Sequence, residues 1–196
     1  MALPALRLAT LDDLLRAEAE GRAAEIIDGE LAEKARADEE HGGAQLAIAL
    51  TIGDAYQRRG GGGRPGGWWL RTEVDIAFGD AVLRPDLSGW RRDRVPTMPR
   101  DWPVPVSPDW VCEILSASTA ARDLGVKRDL YHSARVGHYW VVDRSHRLLL
   151  VYRWGPAGYQ LVQSGSAPET MRAEPFEQVP FFVGRMFGID PTEEES

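Results

Sequence analysis

Residues 108–127, PDWVCEILSASTAARDLGVK, constrain the fold more than any other stretch, because a carboxylate, Glu113, interrupts a run that is otherwise apolar. The near-continuous apolar character of 110–115 reads as a strand buried on both faces. Alternation puts Val111, Glu113 and Leu115 on one face and Cys112 and Ile114 on the other. A buried carboxylate costs several kcal/mol unless it is paired or bound to a metal. The chain must therefore bring partners to Glu113. A second acid, Asp86, follows Pro85, and Lys127 stands in the segment after the strand.

The remaining pattern supplies layers to cover such a strand. Thr10 with Asp12 and Asp13 reads as a helix start that Gly21 stops, and 24–31 reads as a hairpin around Asp28-Gly29. A second helix is expected over 39–59, with Leu46, Leu50 and Gly53 on one side and Ile48, Ala49 and Ile52 widening its apolar face. Residues 58–67 hold six glycines, which no regular element tolerates. They lack the Lys-Ser/Thr that closes a phosphate-binding loop, so they read as a mobile connection, with a nucleic-acid contact through their arginines as the alternative. Residues 68–78 alternate as one half-exposed strand, with 82–90 as its antiparallel partner and Asp86 at an edge or distortion. After a capping region at 116–119, a third helix is expected over 120–135, with Leu124, Lys127, Tyr131 and Ala134 on one face and Gly137 as its stop. Strands follow at 138–143, 148–154 and 159–163, then a short apolar element at 181–187 and an acidic tail. The order predicts an α/β fold, a mixed β-sheet flanked by helices. It is read as a single domain over 1–196, with a core at about 20–160 and an accessory segment at 164–196.

Charge and cysteine usage narrow the function. The net charge is −7, and residues 12–40, with eleven acids and four bases, carry all of it. An acidic protein is a poor non-specific DNA binder, so a nucleic-acid partner needs a local basic surface. Arg84, Arg91, Arg92, Arg94, Arg100, Arg122 and Arg128 could supply it; solvated loops are the alternative. The single cysteine, Cys112, excludes an internal disulfide framework and a cysteine zinc cluster, and fits a reducing cytoplasm. No apolar run approaches a membrane span, and the first residues make a poor signal peptide, so a cytoplasmic protein is expected.

Asp86 and Glu113 lie 27 residues apart, one ending a strand and the other centring the next. Neighbouring strands can bring them within reach of one ion. Two carboxylates with a strand carbonyl, such as that of Ile114, suit Mg²⁺ or Mn²⁺. Such an ion acidifies a bound water and stabilises charge on a phosphoryl oxygen, and Lys127 could orient that water. Other readings stand beside these. Asp86 could cap a turn, and Glu113 could pair with a buried arginine. Lys127 could form a helical ion pair with Asp123, four residues earlier. Glu25 is a third acid for the metal or a hairpin-edge carboxylate. His41 reads as a helix-start or core histidine, His132 and His138 lack metal spacing, and Ser116 and Ser118 lack a nucleophile-elbow context.

Pro85-Asp86 followed by Glu113 in an apolar strand resembles the PD-(D/E)XK nuclease superfamily, and more closely its Uma family of restriction-endonuclease-like proteins. The matching pieces are residues 25–31 (EIIDGEL), His41, Arg84-Pro85-Asp86, Pro108-Asp109 leading to 113–116 (EILS), Asp123, Lys127, Tyr131 and 139–143 (YWVVD). The resemblance implies a restriction-endonuclease-like core and a Mg²⁺- or Mn²⁺-dependent phosphodiesterase acting on DNA. It places Asp86, Glu113 and the Ile114 carbonyl on the metal, Lys127 on the attacking water, and Glu25 as a fourth member. Leu115 stands where the superfamily's lysine is usual, and His138 where an acid is common. Cutting a duplex needs two sites, so a homodimer is expected. The alternative is a catalytically inactive nuclease-fold protein that binds nucleic acid or a protein partner; a nuclease for RNA or single strands is a third reading.

Overall fold

The computed structural model describes residues 7–34, 37–61, 65–116 and 119–191. Gly62, Gly63 and Arg64 of the glycine-rich connection, Ala117 and Ser118 of the capping region, and the acids of the tail lie outside them.

Helix α1 (Leu11–Ala19) begins where expected, with the Asp13 carboxylate accepting the Thr10 N–H at 2.8 Å. Strands β1 (Ala24–Ile27) and β2 (Glu30–Glu33) form the hairpin. Asp28 and Gly29 both take left-handed φ, 52° and 76°, as this two-residue turn requires. Helix α2 (Glu39–Tyr56) follows, capped by the Asp38 carboxylate on the His41 N–H at 2.8 Å.

The stretches read as two long strands are four short ones. Strands β3 (Trp68–Thr72) and β4 (Ile76–Phe78) are separated at Glu73, where φ is +52°. Strands β5 (Ala81–Leu83) and β6 (Leu87–Arg91) are separated at Arg84-Pro85-Asp86, where proline removes a ladder donor. The antiparallel pairing itself is as expected, β3 with β6 and β4 with β5. The breaks send the two halves into different sheets.

Strand β7 (Trp110–Ile114) carries Glu113. The segment after it is helical but uneven: α3 (Ala120–Arg122), a π-helical turn over Asp123–Lys127, and α4 (Arg128–Ser133). Strands β8 (His138–Asp143), β9 (Leu148–Arg153), β10 (Gln160–Ser166), β11 (Thr170–Met171) and β12 (Phe181–Phe182) complete the chain, with a 3-10 turn over Val183–Phe187. A six-stranded sheet runs β10-β9-β8-β7-β6-β3, parallel at β7–β8 and antiparallel elsewhere. A four-stranded antiparallel sheet runs β2-β1-β5-β4. The fold is α/β, a mixed sheet flanked by helices.

Two apolar layers fix the position of β7. Ala44, Ile48, Ile52 and Tyr56 of α2 pack on Trp110, Cys112, Ile114 and Trp140, and Phe176, Phe181, Val183 and Met186 close that layer. On the other face Tyr131 and Val136 pack on Val111, Leu115, Tyr139 and Val141. Glu113 therefore points into the α4 layer, as the alternation predicts. The buried face of α2 differs from the expected one. Leu46 and Leu50 are 59% and 65% exposed, while Ile48 and Ile52 are buried. The helix is apolar nearly all round, so its pattern did not select a face. Leu124 is likewise 40% exposed, whereas Lys127 and Tyr131 are buried.

Candidate active site

The break at Arg84-Pro85-Asp86 is tied down at each handle that Arg84 offers. Its backbone N–H donates to Glu25 Oε1 at 2.8 Å, its guanidinium makes two 2.7 Å bonds to Asp75, and its carbonyl accepts from Lys34 Nζ at 2.9 Å. Asp86 leaves this corner aimed at β7. Its Oδ2 accepts the Ile114 N–H at 2.7 Å. Because Leu87 pairs with Cys112, the register carries Asp86 alongside Glu113.

Glu113 Oε1 receives two groups from the helical segment, the Tyr131 hydroxyl at 2.5 Å and Lys127 Nζ at 2.7 Å. Lys127 also lies 3.1 Å from Glu25 Oε1 and 3.3 Å from Asp123 Oδ1. The ion pair with Asp123 and the placement beside Glu113 are thus both present. Glu25, Glu113, Asp123 and Lys127 are all buried. Burial pushes the Glu113 carboxyl up to about 8, against the pull of Lys127 and with the repulsion of Asp123 and Asp86. Burial also opposes the charge of Lys127, but Glu113, Glu25 and Asp123 outweigh it and hold the ammonium well above its ordinary value.

Asp86 has the opposite balance. Burial opposes its charge, yet His41 and Lys34 hold its carboxyl well below the usual range. Lys34 Nζ stands 2.7 Å and His41 Nε2 3.3 Å from Oδ1. Both groups face this one buried oxygen. Lys34 also meets Glu73 Oε2 at 2.8 Å.

A cavity of about 20 Å³ opens between these groups, lined by Glu25, Lys34, Asp86, Glu113 and Lys127 among others. That is room for one water-sized sphere. Two buried carboxylates side by side at a small cavity lined by charged groups fit a hard divalent ion. The Ile114 carbonyl is a candidate third ligand; the contact observed at Ile114 is through its N–H. His41, Glu73 and Asp86 each place one ligand atom within 4.8 Å of the others.

The expected arginine surface is largely engaged. Arg84 is bound to Asp75, Arg91 to Asp93 and Arg94 to Asp109, Arg92 lies 3.6 Å over the Trp69 ring, Arg122 donates to the Glu33 carbonyl, and Arg128 sits 5.5 Å from the Tyr152 ring. A different set borders the site. Arg144, Arg147 and Arg185 line a cavity of about 520 Å³, and Arg144 lines the small polar cavity as well. Arg144 grips Asp38 with two bonds of 2.7 and 2.9 Å and so pins the start of α2.

Sequence reasoning missed Lys34 and Glu73. A signal existed for Lys34. In the hairpin Glu25 pairs with Ala32, so a residue two further along, Lys34, shares the face of Glu25.

A family model described as "Putative restriction endonuclease" (Uma2) matches residues 9–181. The chain belongs to that family. The fold agrees: a crystal structure titled as "a putative nuclease belonging to DUF820 from Anabaena variabilis" superposes with a TM-score of 0.71. The two share 21% identity over 92% of this chain and 98% of that one. No curated protein matches the sequence. Among the described residues, no helix of this Uma2 protein is long and apolar enough to cross a membrane.

Proposed function

We propose that this Uma2 protein is a divalent-metal-dependent endonuclease that hydrolyses phosphodiester bonds in DNA, with Asp86 and Glu113 as the metal-binding carboxylates. The observation that carries the reading is the pair of buried carboxylates Asp86 and Glu113, brought side by side across β6 and β7 at a cavity large enough for one ion. Bound there, Mg²⁺ or Mn²⁺ would acidify a water and neutralise charge on the scissile phosphate. Asp86, the Ile114 carbonyl and Glu113 are the groups that would hold it.

The chain's own residues do the rest. The Ile114 N–H fixes the Asp86 carboxylate, and Tyr131 and Lys127 fix Glu113. Three carboxylates keep Lys127 protonated, so it acts as a donor and a positive charge toward the attacking water and the developing phosphorane, not as a base. Glu25 holds Lys127 and the Arg84 backbone together, a positioning role. Arg147 and Arg185 offer guanidinium groups to the flanking phosphates. A homodimer would present two such sites to the two strands.

One observation favours a second reading, a nuclease-fold protein that binds without cutting. Lys34 already neutralises Asp86, and Lys127 already stands against Glu113. Cleavage of supercoiled, linear and single-stranded DNA with Mg²⁺ or Mn²⁺, by wild type beside Glu113→Gln, separates the two. Cutting by wild type alone supports the enzyme. Equal cutting by both, or none by either across a mixed-sequence substrate pool, rejects it.

A further inference from the structure

We infer that the larger cavity, bordered by Arg147, Arg185 and Phe187, holds one unpaired nucleotide of the strand being cut, its phosphate on the two arginines and its base against the apolar wall. The inference rests on the proposed nuclease activity and narrows its substrate to DNA with a nucleotide outside the duplex stack, in a single strand or at a bulge.

The cavity has the size and the floor for such an occupant. Its volume of about 520 Å³ falls within the roughly 300–1,000 Å³ of small-molecule sites. One wall is apolar, formed by Gly43 and Ala44 of α2 with Met186 and Phe187 of the 3-10 turn. Ala44 and Met186 are buried in one core layer and Phe187 is half-buried against it, so packing of the turn on α2 fixes this wall. Gly43 widens the cavity, because a Cβ there would meet nothing within 4 Å.

The rim is cationic. Arg147 and Arg185 are exposed, and among the described residues neither has a carboxylate partner. Arg84, Arg91, Arg94 and Arg144 all do. Arg147 stands at φ +53° in the turn between β8 and β9, where glycine or asparagine carries less strain. Strain of this kind clusters at ligand-binding positions. Two acids share the rim. Arg144 holds Glu40 at 3.3 Å, which leaves two unpaired guanidinium groups against Glu39. The balance favours an anion.

Each half of the lining excludes a simpler occupant. A free phosphate would pair with the arginines and leave Met186 and Phe187 uncovered. An intact duplex keeps its bases stacked inside and presents phosphates and groove edges, so it cannot cover an apolar wall. An unpaired nucleotide offers both parts, an anionic phosphate and a flat base face that packs on an aromatic side chain. Arg144 lines this cavity and the small polar one, so the occupant lies on the strand that reaches Asp86 and Glu113.

The test is a fluorescence-anisotropy titration of the protein in EDTA, so that nothing is cut, with labelled oligothymidylate, a blunt duplex, and the same duplex carrying a single bulged thymidine. The inference expects the oligothymidylate and the bulged duplex to bind at least about tenfold tighter than the intact duplex, the effect of one packed base. Gly43→Leu fills the cavity at a position open to a side chain. Leucine is the better helix former, so the thermal midpoint should hold or rise while the preference shrinks to within about twofold. Thymidine monophosphate should displace the bulged duplex at lower concentration than inorganic phosphate does. Equal or undetectable affinity for the three probes, a preference that survives Gly43→Leu, or displacement by phosphate as readily as by thymidine monophosphate would overturn the inference. Cleavage with Mg²⁺ or Mn²⁺ is scored separately. Cutting without the preference keeps the nuclease reading and removes this inference; the preference without cutting keeps the nucleotide site and removes the nuclease.

Discussion

Replacing Lys127 with methionine keeps the length and packing of the side chain and removes the cation that lies within 3.3 Å of three carboxylates. Glu25, Glu113 and Asp123 are exposed by only 1%, 2% and 5% at the side chain. Removing one partner of a buried ion pair costs about 3–5 kcal/mol, because the remaining charge stays buried. Urea unfolding in EDTA, followed by tryptophan fluorescence, should therefore show a loss of about 3–5 kcal/mol at pH 7. A loss below about 1 kcal/mol would refute the reasoning that Lys127 is the counter-charge of a buried acidic cluster.

Other outcomes follow from the same geometry. The native Glu113 carboxyl keeps its proton to about pH 8, while its ordinary value is 4.5. Its contribution to stability is therefore present in acid and falls as pH rises from about 4.5 to 8, by up to about 1.4 kcal/mol per unit. Urea titrations of metal-free protein across that window read the slope, and Mg²⁺ added at pH 7 in weak buffer should release a proton. Tyr131→Phe removes the hydroxyl that donates to Glu113 and should cost about 1–3 kcal/mol in thermal or urea unfolding. Ile48→Ala should cost about 2–5 kcal/mol and Leu46→Ala under about 0.5 kcal/mol, which tests the observed face of α2 by urea unfolding. Arg147→Gln should weaken DNA binding and lower the salt slope by about 1 in filter-binding titrations.

The geometry of the candidate site was legible in the sequence where local rules act. Asp28-Gly29 specifies its turn, and the alternation of Val111, Glu113 and Leu115 puts the acid on the α4 face whatever surrounds it. Pro85 marks a break because a missing donor is a property of one residue. What was not legible depends on the rest of the fold. The alternation of 68–78 runs straight through Glu73, and only packing of two separate sheets puts that residue at positive φ. Helix α2 is apolar on most sides, so the partner layer, with Trp110 and Trp140, chooses Ile48 over Leu46. Lys34 belongs to no motif. The hairpin pattern puts it on the face of Glu25, but its partners appear only when the end of that hairpin, the Arg84 corner and Glu73 meet.

The most direct measurement is anomalous diffraction from a crystal of the protein soaked in Mn²⁺. The account predicts a peak in the small cavity within coordination distance of both Asp86 and Glu113, absent from Glu113→Gln. Density only at surface carboxylates, or a peak within coordination distance of both positions that keeps its height in Glu113→Gln, would contradict it.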